Sequence, residues 1–420
     1  MTEMKFGFEF VYDCIKNLLD MRLRTYESFW LLKNGLLYSY PELKEDVKTQ
    51  MLVVGCGITG ALTAHALMEQ GHEVVMIDRR DVAQGSSSAT TSMLQYEIDV
   101  QLKDLCEMIG EEAAVACYKA GIAAINKMEK LVEATGIECG FESKTSLYVA
   151  HNRSAEKNLK LEFDIRKKHN LGVTWLDAKE IKAEYGLNCK GGILSETAAS
   201  VDAYKLTHEL IQINAKRGMK VFDQTEVKEF NVEHIAPHLV SENGRKIYFD
   251  KAIFCTGFES TKMLKEEIAD LFYTYATVSE QDIKIPEKLK QTLVWNTEEP
   301  YIYMRTTDDG RLLIGGEDAS TNVSFFQQTK KEKKAKTLKK KLEKLIPGID
   351  FTEDFSWAGT FGTTKDGLPY IGASPEYGNA LFVLGFGGNG ITFSVQAMDI
   401  IIDLLEGRPN ELSNYYRFGR

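Results

Sequence analysis

MLVVGCGITG, residues 51–60, is the stretch that decides the fold of this chain. Its first four residues are apolar and typical of a buried parallel strand, and a G-x-G-x-x-G pattern follows at once. Residues 61–70 are rich in helix formers, and Gly71 after them is a helix stop. Residues 73–77 predict a second strand, with Asp78 at its end. The sequence therefore predicts a strand–turn–helix–strand unit of about thirty residues, which is the dinucleotide-binding arrangement.

Each part of this unit has a physical task. Gly55 permits the tight turn, Gly57 lets a pyrophosphate approach the backbone, and Gly60 allows the helix to lie close to the strand. The start of the helix offers unpaired N–H groups and a positive dipole end to the phosphates, while Asp78 suits a ribose 2′-hydroxyl. The motif alone does not choose between NAD and FAD. The nucleotide contacts expected here are Gly55, Gly57, Ile58, Thr59, Gly60, Asp78, Arg79 and Arg80.

Three later segments extend the predicted site. Residues 85–94 form a loop rich in Gly, Ser and Thr directly after Asp78, and residues 253–257 predict a strand that ends in a small residue and Gly. Residues 381–391 predict another strand and a Gly-rich turn into an apolar helix, whose positive end suits the negative charge of a reduced flavin. The further cofactor contacts expected are Ser86, Ser87, Thr91, Ser92, Met93, Val227, Thr256, Gly257, Gly387, Gly388, Asn389, Gly390 and Ile391.

Composition narrows the class of protein. The chain has 420 residues, 44% of them hydrophobic, and a net charge of −10, which argues against a nucleic-acid binder. Seven scattered Cys without a C-x-x-C pair indicate reduced thiols, no metal site and a cytoplasmic protein. No apolar run is long enough for a transmembrane segment, and no signal peptide is evident. Residues 330–346 predict an amphipathic, Lys-rich helix that stops at Pro347-Gly348.

Taken together, the motifs carry a family resemblance. The chain resembles the FAD-dependent amine and amino-acid oxidase (DAO) family, the group of glycine, sarcosine and D-amino-acid oxidases. The matching features are the motifs at residues 55–60, 85–94 and 255–257, and the run from Thr364 through Gly372 to Gly390. Residues 28–43 and 301–316 also resemble the γ-glutamylputrescine oxidase branch. Both the glycine oxidase and the γ-glutamylputrescine oxidase branches are therefore close in pattern.

The resemblance implies an α/β (α+β) fold with two domains. A Rossmann-like FAD domain of glutathione-reductase/p-hydroxybenzoate-hydroxylase-like topology would be discontinuous, and a second domain with an antiparallel sheet would bind the substrate. The expected ranges are 1–47 for an N-terminal helical extension, 48–100, 191–260 and 356–420 for the FAD domain, and 101–190 and 261–355 for the substrate domain. The implied chemistry is hydride removal from the carbon that bears the nitrogen. The imine then hydrolyses, and dioxygen or another acceptor reoxidises the flavin.

Departures from the family pattern bear on the substrate. Amino-acid-using members often place an Arg, which binds the substrate carboxylate, five residues before the Asp that corresponds to Asp366. This chain has Phe361 there, so a small amine is favoured over an amino acid as the substrate. Arg305 is a candidate substitute for that Arg. No Cys follows Cys255, which predicts non-covalent FAD, and Asn389 has no acid–base role. No catalytic residue is assigned, and the pocket candidates are Tyr96, Tyr301, Tyr303, Arg305, Trp357 and Phe361.

Two other functions are consistent with parts of the sequence. An NAD-linked dehydrogenase with a single Rossmann domain would explain residues 51–80 but not the Gly-rich turn at 385–391. A non-catalytic flavin-binding subunit would explain both. The optical spectrum of the purified protein and its bleaching by amines separate these alternatives.

Overall fold

A computed structural model describes residue 24 and residues 28–231, 236–320, 326–385 and 387–420. Most of the expected N-terminal helical extension and Phe386 of the Gly-rich turn lie outside these residues. The first half of the chain contains α1 (Phe29–Asn34), β1 (Val47–Val54), α2 (Ile58–Glu69), β2 (Val74–Ile77), β3 (Met93–Gln95), α3 (Leu102–Ile109), α4 (Glu111–Thr135), β4 (Glu142–Val149), α5 (Arg153–Lys168), β5 (Val173–Asp177), α6 (Ala178–Tyr185), β6 (Gly191–Ser200) and α7 (Ala203–Lys216).

The second half is richer in strands. It contains β7 (Lys220–Phe222), β8 (Val227–Asn231), β9 (His238–Ser241), β10 (Lys246–Phe254), β11 (Asp270–Ser279), α8 (Glu287–Lys290), β12 (Thr292–Asn296), β13 (Ile302–Thr306), β14 (Leu312–Ser320), α9 (Phe326–Leu345), β15 (Glu353–Thr363), β16 (Tyr370–Ala373), β17 (Ala380–Leu384), α10 (Gly390–Glu406) and α11 (Glu411–Tyr415). Two short 3-10 helices span Ser86–Ser88 and Gly257–Lys262.

The first sheet carries the predicted dinucleotide unit. Its centre is five parallel strands in the order β17-β10-β1-β2-β7, with β16 antiparallel on one edge and the β8–β9 hairpin attached to β10. The carboxyl ends of the parallel strands meet at one edge of the sheet, which is where ligands bind in open α/β sheets. The predicted Rossmann-like topology is confirmed.

Helix α2 lies against this sheet and is covered by α7 and α10. Because it is enclosed on these sides, its buried residues run almost without interruption from Ile58 to Leu67 and include Thr63 and His65. The helix begins immediately after the glycine turn, so its N-terminus points at the carboxyl edge of the sheet. The local sequence therefore fixes both the strand and the direction of the helix dipole.

The second sheet has the order β15-β11-β14-β13-β12-β4-β6-β3, with β5 on β6. Its strands pair in antiparallel fashion except for β12 and β4, which are parallel. A second sheet of mainly antiparallel strands is therefore confirmed. The expected boundaries at residues 191 and 356 do not match the sheets, because β6 hydrogen-bonds to β3, β4 and β5, and all of β15 pairs with β11. All of β6 and residues 356–363 of β15 were expected in the FAD domain.

The Lys-rich helix α9 packs on the outer side of the second sheet. Leu338, Leu342 and Leu345 are buried there, while most of its lysines remain exposed. The predicted amphipathic helix is confirmed. It ends before Pro347, as expected from the loss of a backbone donor and the fixed φ of proline.

The expected helical extension over residues 1–47 is wrong for most of its described part. Only α1 is helical between residues 28 and 47, and residues 35–46 form neither helix nor strand. The backbone N–H of Tyr40 donates to Asp223 at 2.8 Å, and that of Leu43 donates to Thr225 at 3.1 Å. Because these donors are bonded to residues distant in sequence, the segment has no need of helical hydrogen bonds.

Candidate functional site

A cavity of about 1120 Å³ lies where the carboxyl edge of the first sheet meets the second sheet. It is at the upper limit of ordinary ligand pockets, which are roughly 300–1000 Å³. At one end it is lined by residues that follow β1, β2 and β10. At the other end it is lined by β13, β15 and the segment after β3. The cavity therefore connects the dinucleotide motif with a second compartment large enough for a substrate.

The glycine turn is shaped as the sequence predicts. Gly55 has φ +109°, and a Cβ placed there would lie 2.4 Å from the carbonyl oxygen of Cys255. A Cβ on Gly60 would lie 1.8 Å from the carbonyl oxygen of Gly55. Neither position tolerates a side chain, because each neighbour is backbone and cannot move aside. Gly60 thus brings α2 against β1 and does not itself line the cavity, which corrects its expected role as a direct contact.

Asp78 closes the nucleotide end of the site. Its carboxylate accepts hydrogen bonds from the backbone N–H of Cys56 at 2.7 Å and of Arg80 at 2.9 Å. Burial raises the pKa of Asp78, while these two donors lower it. The side chains of Arg79 and Arg80 line the cavity and both pair with Glu259, Arg80 at 2.7 Å. A fixed acceptor and two guanidinium groups thus stand where a ribose and a pyrophosphate are expected.

The hydroxyl-rich loop is held from two sides. The Ser87 hydroxyl accepts a hydrogen bond from the backbone N–H of Ile58 at 2.9 Å, which ties the loop to the start of α2. The indole N–H of Trp357 donates to Ala89 O at 2.8 Å, and that of Trp30 donates to Thr90 O at 2.6 Å. Sequence reasoning did not assign Trp30 to the site. The buried helix α1 therefore helps to shape the cofactor loop from outside the cavity.

Ser92 corrects another expected contact. It is fully buried and does not line the cavity, and its hydroxyl accepts from the backbone N–H of Ala203 at 3.4 Å. The remaining residues expected to contact the cofactor do line the cavity: Gly55, Gly57, Ile58, Thr59, Asp78, Arg79, Arg80, Ser86, Ser87, Thr91, Met93, Val227, Thr256, Gly257, Gly387, Gly388, Asn389, Gly390 and Ile391.

The Gly-rich turn forms the N-terminus of α10, as predicted, and faces the cavity. The side chain of Asn389 points elsewhere. Its amide donates to Gln95 O at 2.8 Å and to Glu97 O at 2.9 Å, so it tethers the segment after β3. Both protons of this amide are used internally, so its N–H groups are not available to a cofactor. The positive end of the helix dipole and the backbone N–H groups of its first turn remain directed at the cavity.

Four of the six pocket candidates line the second compartment, namely Tyr301, Tyr303, Trp357 and Phe361. Burial raises the pKa of Tyr303 to about 12 and that of Tyr301 further, so both phenols keep their protons at neutral pH. These side chains make an aromatic wall with neutral hydroxyl groups. Such a wall excludes water and offers ring faces to an alkyl amine.

Tyr96 and Arg305 do not line the cavity, and their expected roles are wrong. Tyr96 is buried on the other side of its segment, where its hydroxyl donates to Leu171 O at 3.1 Å. Arg305 is 2% exposed, donates to Val201 O at 3.1 Å and lies over the ring of Trp30. Its guanidinium is used in packing behind the wall, so it does not replace the missing carboxylate clamp.

The acidic side chains of the second compartment were missed. From the end of β3 onward, the polar residues Gln95, Glu97, Asp99 and Gln101 line the cavity, together with Val100. Asp318 of β14 lines it as well. The alternation of polar and apolar residues over 95–101 is visible in the sequence and was a usable signal. Tyr96 belongs to the other set of side chains and does not line the cavity.

The Asp99 side chain is exposed to the open space of the cavity, and protein atoms surround that part of the cavity. This enclosure raises its pKa to about 6, against a lowering by the backbone N–H of Gly388 and a further rise from Asp318. The N–H of Gly388 donates to the Asp99 carboxylate at 3.0 Å. Burial also raises the pKa of Asp318. Two carboxylates thus line one region of the cavity, and Asp318 is the more buried of the two.

The charges of the cavity are segregated. Among the described residues that line it, the basic side chains are Arg79, Arg80 and Lys262, all on segments of the nucleotide end. The second compartment contains carboxylates and aromatic rings without a cation. In the described part of the chain, no group of three or more His, Cys, Asp or Glu is arranged to hold a metal ion. Nor is any helix among the described residues both long and apolar enough to cross a membrane.

These features fit an FAD cofactor. A Cβ at Gly57 would lie 3.1 Å from the Ser87 hydroxyl, so the space beside the helix start exists only because the residue is glycine. The model of the DAO family, described as FAD dependent oxidoreductase, matches residues 50–403. The chain belongs to the DAO family of FAD-dependent oxidoreductases. The dinucleotide is therefore FAD, and the protein is an enzyme of this class. The alternative of an NAD-linked dehydrogenase with a single Rossmann domain is excluded.

Relatives and solved structures are consistent with this membership. The chain is 24% identical over 403 residues to protein YhfW of Bacillus subtilis (strain 168), named as a Rieske 2Fe-2S iron-sulfur protein, covering 93% of this chain and 75% of that protein. It is 24% identical over 360 residues to glycine oxidase of Geobacillus kaustophilus (strain HTA426), covering 84% and 92%. The crystal structure of glycine oxidase from Geobacillus kaustophilus matches with TM-score 0.75 and 20% identity, over 89% of this chain and 99% of that one.

Proposed function

We propose that this enzyme oxidises the C–N bond of a small amine and that FAD, bound without a covalent link, accepts the hydride. The single observation that carries the proposal is the second compartment, where Tyr301, Tyr303 and Phe361 line a cavity continuous with the dinucleotide site. Phe361 occupies the position where amino-acid-using members of the family often have an Arg that binds the substrate carboxylate. No basic side chain among the described residues lines the second compartment. The named relatives include oxidases and dehydrogenases of amino acids, which supports C–N chemistry but not a particular substrate.

The chain's own residues prepare this reaction. FAD supplies a hydride acceptor when bound. The N-terminus of α10 stabilises negative charge that develops beside it. The aromatic wall packs against the alkyl part of the amine and excludes water. Side-chain hydrogen bonds of Tyr301 with Asp318, and of Tyr303 with Thr274 and Thr91, hold the two rings in place. The reacting nitrogen needs its lone pair, so it enters as the neutral amine, and the imine that forms hydrolyses after release.

An anaerobic screen tests the proposal. Holoenzyme is mixed with primary amines, N-methyl amines, amino acids and N-methyl amino acids, and bleaching of the flavin band near ~450 nm is followed. We expect bleaching by at least one amine. Readmission of air then separates an oxidase, which recovers colour quickly, from an enzyme that passes electrons to another acceptor. Absence of bleaching with every compound would reject the reaction and favour a non-catalytic flavin-binding role.

The mode of cofactor attachment has its own test. Cys255 is the only Cys among the described residues that line the cavity, and it lies at the nucleotide end with a thiol whose pKa is raised by burial to about 12. A thiol that stays protonated is a poor nucleophile. We therefore expect acid precipitation to release all of the flavin into the supernatant. The reduced, scattered thiols favour the cytoplasm as the location of the enzyme.

A further inference from the structure

Two carboxylates of the second compartment have no cationic partner. In the described part of the chain, no Lys or Arg forms an ion pair with Asp99 or Asp318. Lys334 is the cation that acts on Asp318 electrostatically, but its ammonium pairs with Glu317 at 3.1 Å. Oδ1 of Asp318 is buried without a hydrogen-bond partner, while side-chain hydrogen bonds from Thr274 and Tyr301 act to lower the pKa of this carboxylate. Both acids act on the phenols of Tyr301 and Tyr303, so all four groups share one region.

Glu97 gives an independent indication of a ligand. Its side chain is 4% exposed and faces the same cavity, and its Oε2 has no hydrogen-bond partner. Its other oxygen accepts from the Ser195 hydroxyl at 2.7 Å and lies 3.7 Å from Arg166, which is more closely paired with Glu162 at 2.7 Å. A buried carboxylate oxygen without a donor is costly. A donor supplied by the substrate would remove that cost.

The nature of the donor follows from charge and reactivity. Carboxylates favour the protonated, charged form of a nearby amine. The amine that is oxidised must instead be neutral, because its lone pair accompanies loss of hydride. An ammonium held by Asp99 and Asp318 is therefore poorly suited to be the reacting nitrogen.

We propose that the substrate is a diamine-type cation, whose non-reacting ammonium is held by Asp99 and Asp318 with Glu97 beside them, while its other nitrogen is oxidised. This inference rests on the proposed C–N oxidation and names its substrate class. The same compartment disfavours a substrate carboxylate, because its carboxylates repel one and no basic side chain among its described residues attracts it. Specificity would then come from charge at the far end of the substrate.

A matched set of compounds tests the proposal with holoenzyme. 1,4-Diaminobutane, 1-aminobutane and 4-aminobutanoate share a four-carbon chain and differ at the far end, which is cationic, apolar or anionic. We expect kcat/KM to be greatest for the diamine and least for the carboxylate. Asp318→Asn should lower kcat/KM for the diamine about 10- to 100-fold while changing that for 1-aminobutane less than about threefold. Asp164→Asn, at an exposed position of α5 outside the cavity, should leave both values unchanged.

Binding separates failure of this inference from failure of the reaction. Titration of 1,4-diaminobutane into oxidised holoenzyme, followed by the flavin spectrum and calorimetry, requires no turnover. Binding that is weakened in Asp318→Asn and Asp99→Asn, at unchanged FAD content and melting temperature, would support the site even if no amine were oxidised. Equal losses of kcat/KM for the diamine and the monoamine in these variants would overturn the inference. So would a higher kcat/KM of the wild type for 1-aminobutane or 4-aminobutanoate than for the diamine. Absence of diamine binding to the wild-type holoenzyme would overturn it as well.

Discussion

The two ends of the cavity recognise their ligands in different ways. At the nucleotide end the chain uses backbone: Gly55 and Gly57 leave space, and the N-terminus of α2 presents N–H groups. At the substrate end it uses side chains from β13, β14 and the segment after β3. Backbone recognition requires glycine at fixed spacing and is readable in a short motif. Side-chain recognition depends on which residues of distant segments meet, and it varies freely while the fold is kept.

The largest effect is expected at Gly60. Gly60→Ala puts a Cβ within 1.8 Å of the Gly55 carbonyl oxygen, so α2 must move away from β1. We expect loss of about 3 kcal/mol of stability or more, together with most of the bound FAD. Flavin content per chain and the denaturation midpoint measure both. Gly378→Ala is the matched control, because Gly378 has open space and no positive φ, and a comparable loss in it would show that the effect is not local crowding.

A cation placed in the substrate compartment should reverse its preference. Phe361→Arg adds a guanidinium to the wall that faces the carboxylates, where it would compete with the second ammonium. We expect kcat/KM for 1,4-diaminobutane to fall about 10- to 100-fold, since like charges in an enclosed site repel strongly. The relative use of 4-aminobutanoate should rise. Phe361→Leu keeps the site uncharged, and an equal loss in that variant would assign the effect to the shape of the wall.

Acid should remove the preference for a diamine. The pKa of Asp99 is raised to about 6, so its charge is present above that pH and is lost as pH falls through it. Asp318 on β14, Tyr303 on β13, Tyr301 immediately before β13 and the Gly388 N–H face this group. We expect the ratio of kcat/KM for 1,4-diaminobutane to that for 1-aminobutane to decline below pH 6, by up to about tenfold per unit.

Taking the ratio cancels the protonation of the reacting amine, which both compounds share. Asp164→Asn should show the same decline as the wild type. A ratio that stays constant down to pH 5 would show that the charge of Asp99 does not select the substrate.

The smallest effect is expected behind the cofactor loop. Trp30→Phe keeps an aromatic ring and removes the indole N–H that donates to Thr90 O. We expect a loss of about 1 kcal/mol in stability and a modest weakening of FAD binding. Trp175→Phe, in β5 and away from the loop, is the control for shortening an indole. Unchanged FAD affinity in Trp30→Phe would limit α1 to a structural role.

Predictions for individual residues were correct where backbone geometry decides and wrong where the packing of side chains decides. Gly55, Gly57 and Asp78 were predicted correctly because strand, turn and helix are consecutive, so local sequence determines their geometry. Tyr96 was assigned to the pocket although its hydroxyl bonds inside the core, and Glu97 was overlooked one residue later. Which side of an extended segment faces a cavity depends on what packs against it. Arg305 failed for a related reason, since α1 and β6 cover the place where its side chain lies.

The sequence by itself determined the parallel sheet, the glycine turn, the acid at the end of β2 and membership of the FAD-dependent class. The first three features depend on spacing and residue type within about thirty residues, whereas the FAD-dependent class also depends on the motifs at residues 85–94, 255–257 and 364–390. Only the tertiary structure decided that Asp99 and Asp318 line the same cavity as two tyrosines, because Asp99 lies in the segment after β3 and Asp318 lies on β14, far apart in the chain. The same pairing assigned β6 and β15 to that sheet, since strand partners are chosen by contacts between residues far apart in the chain.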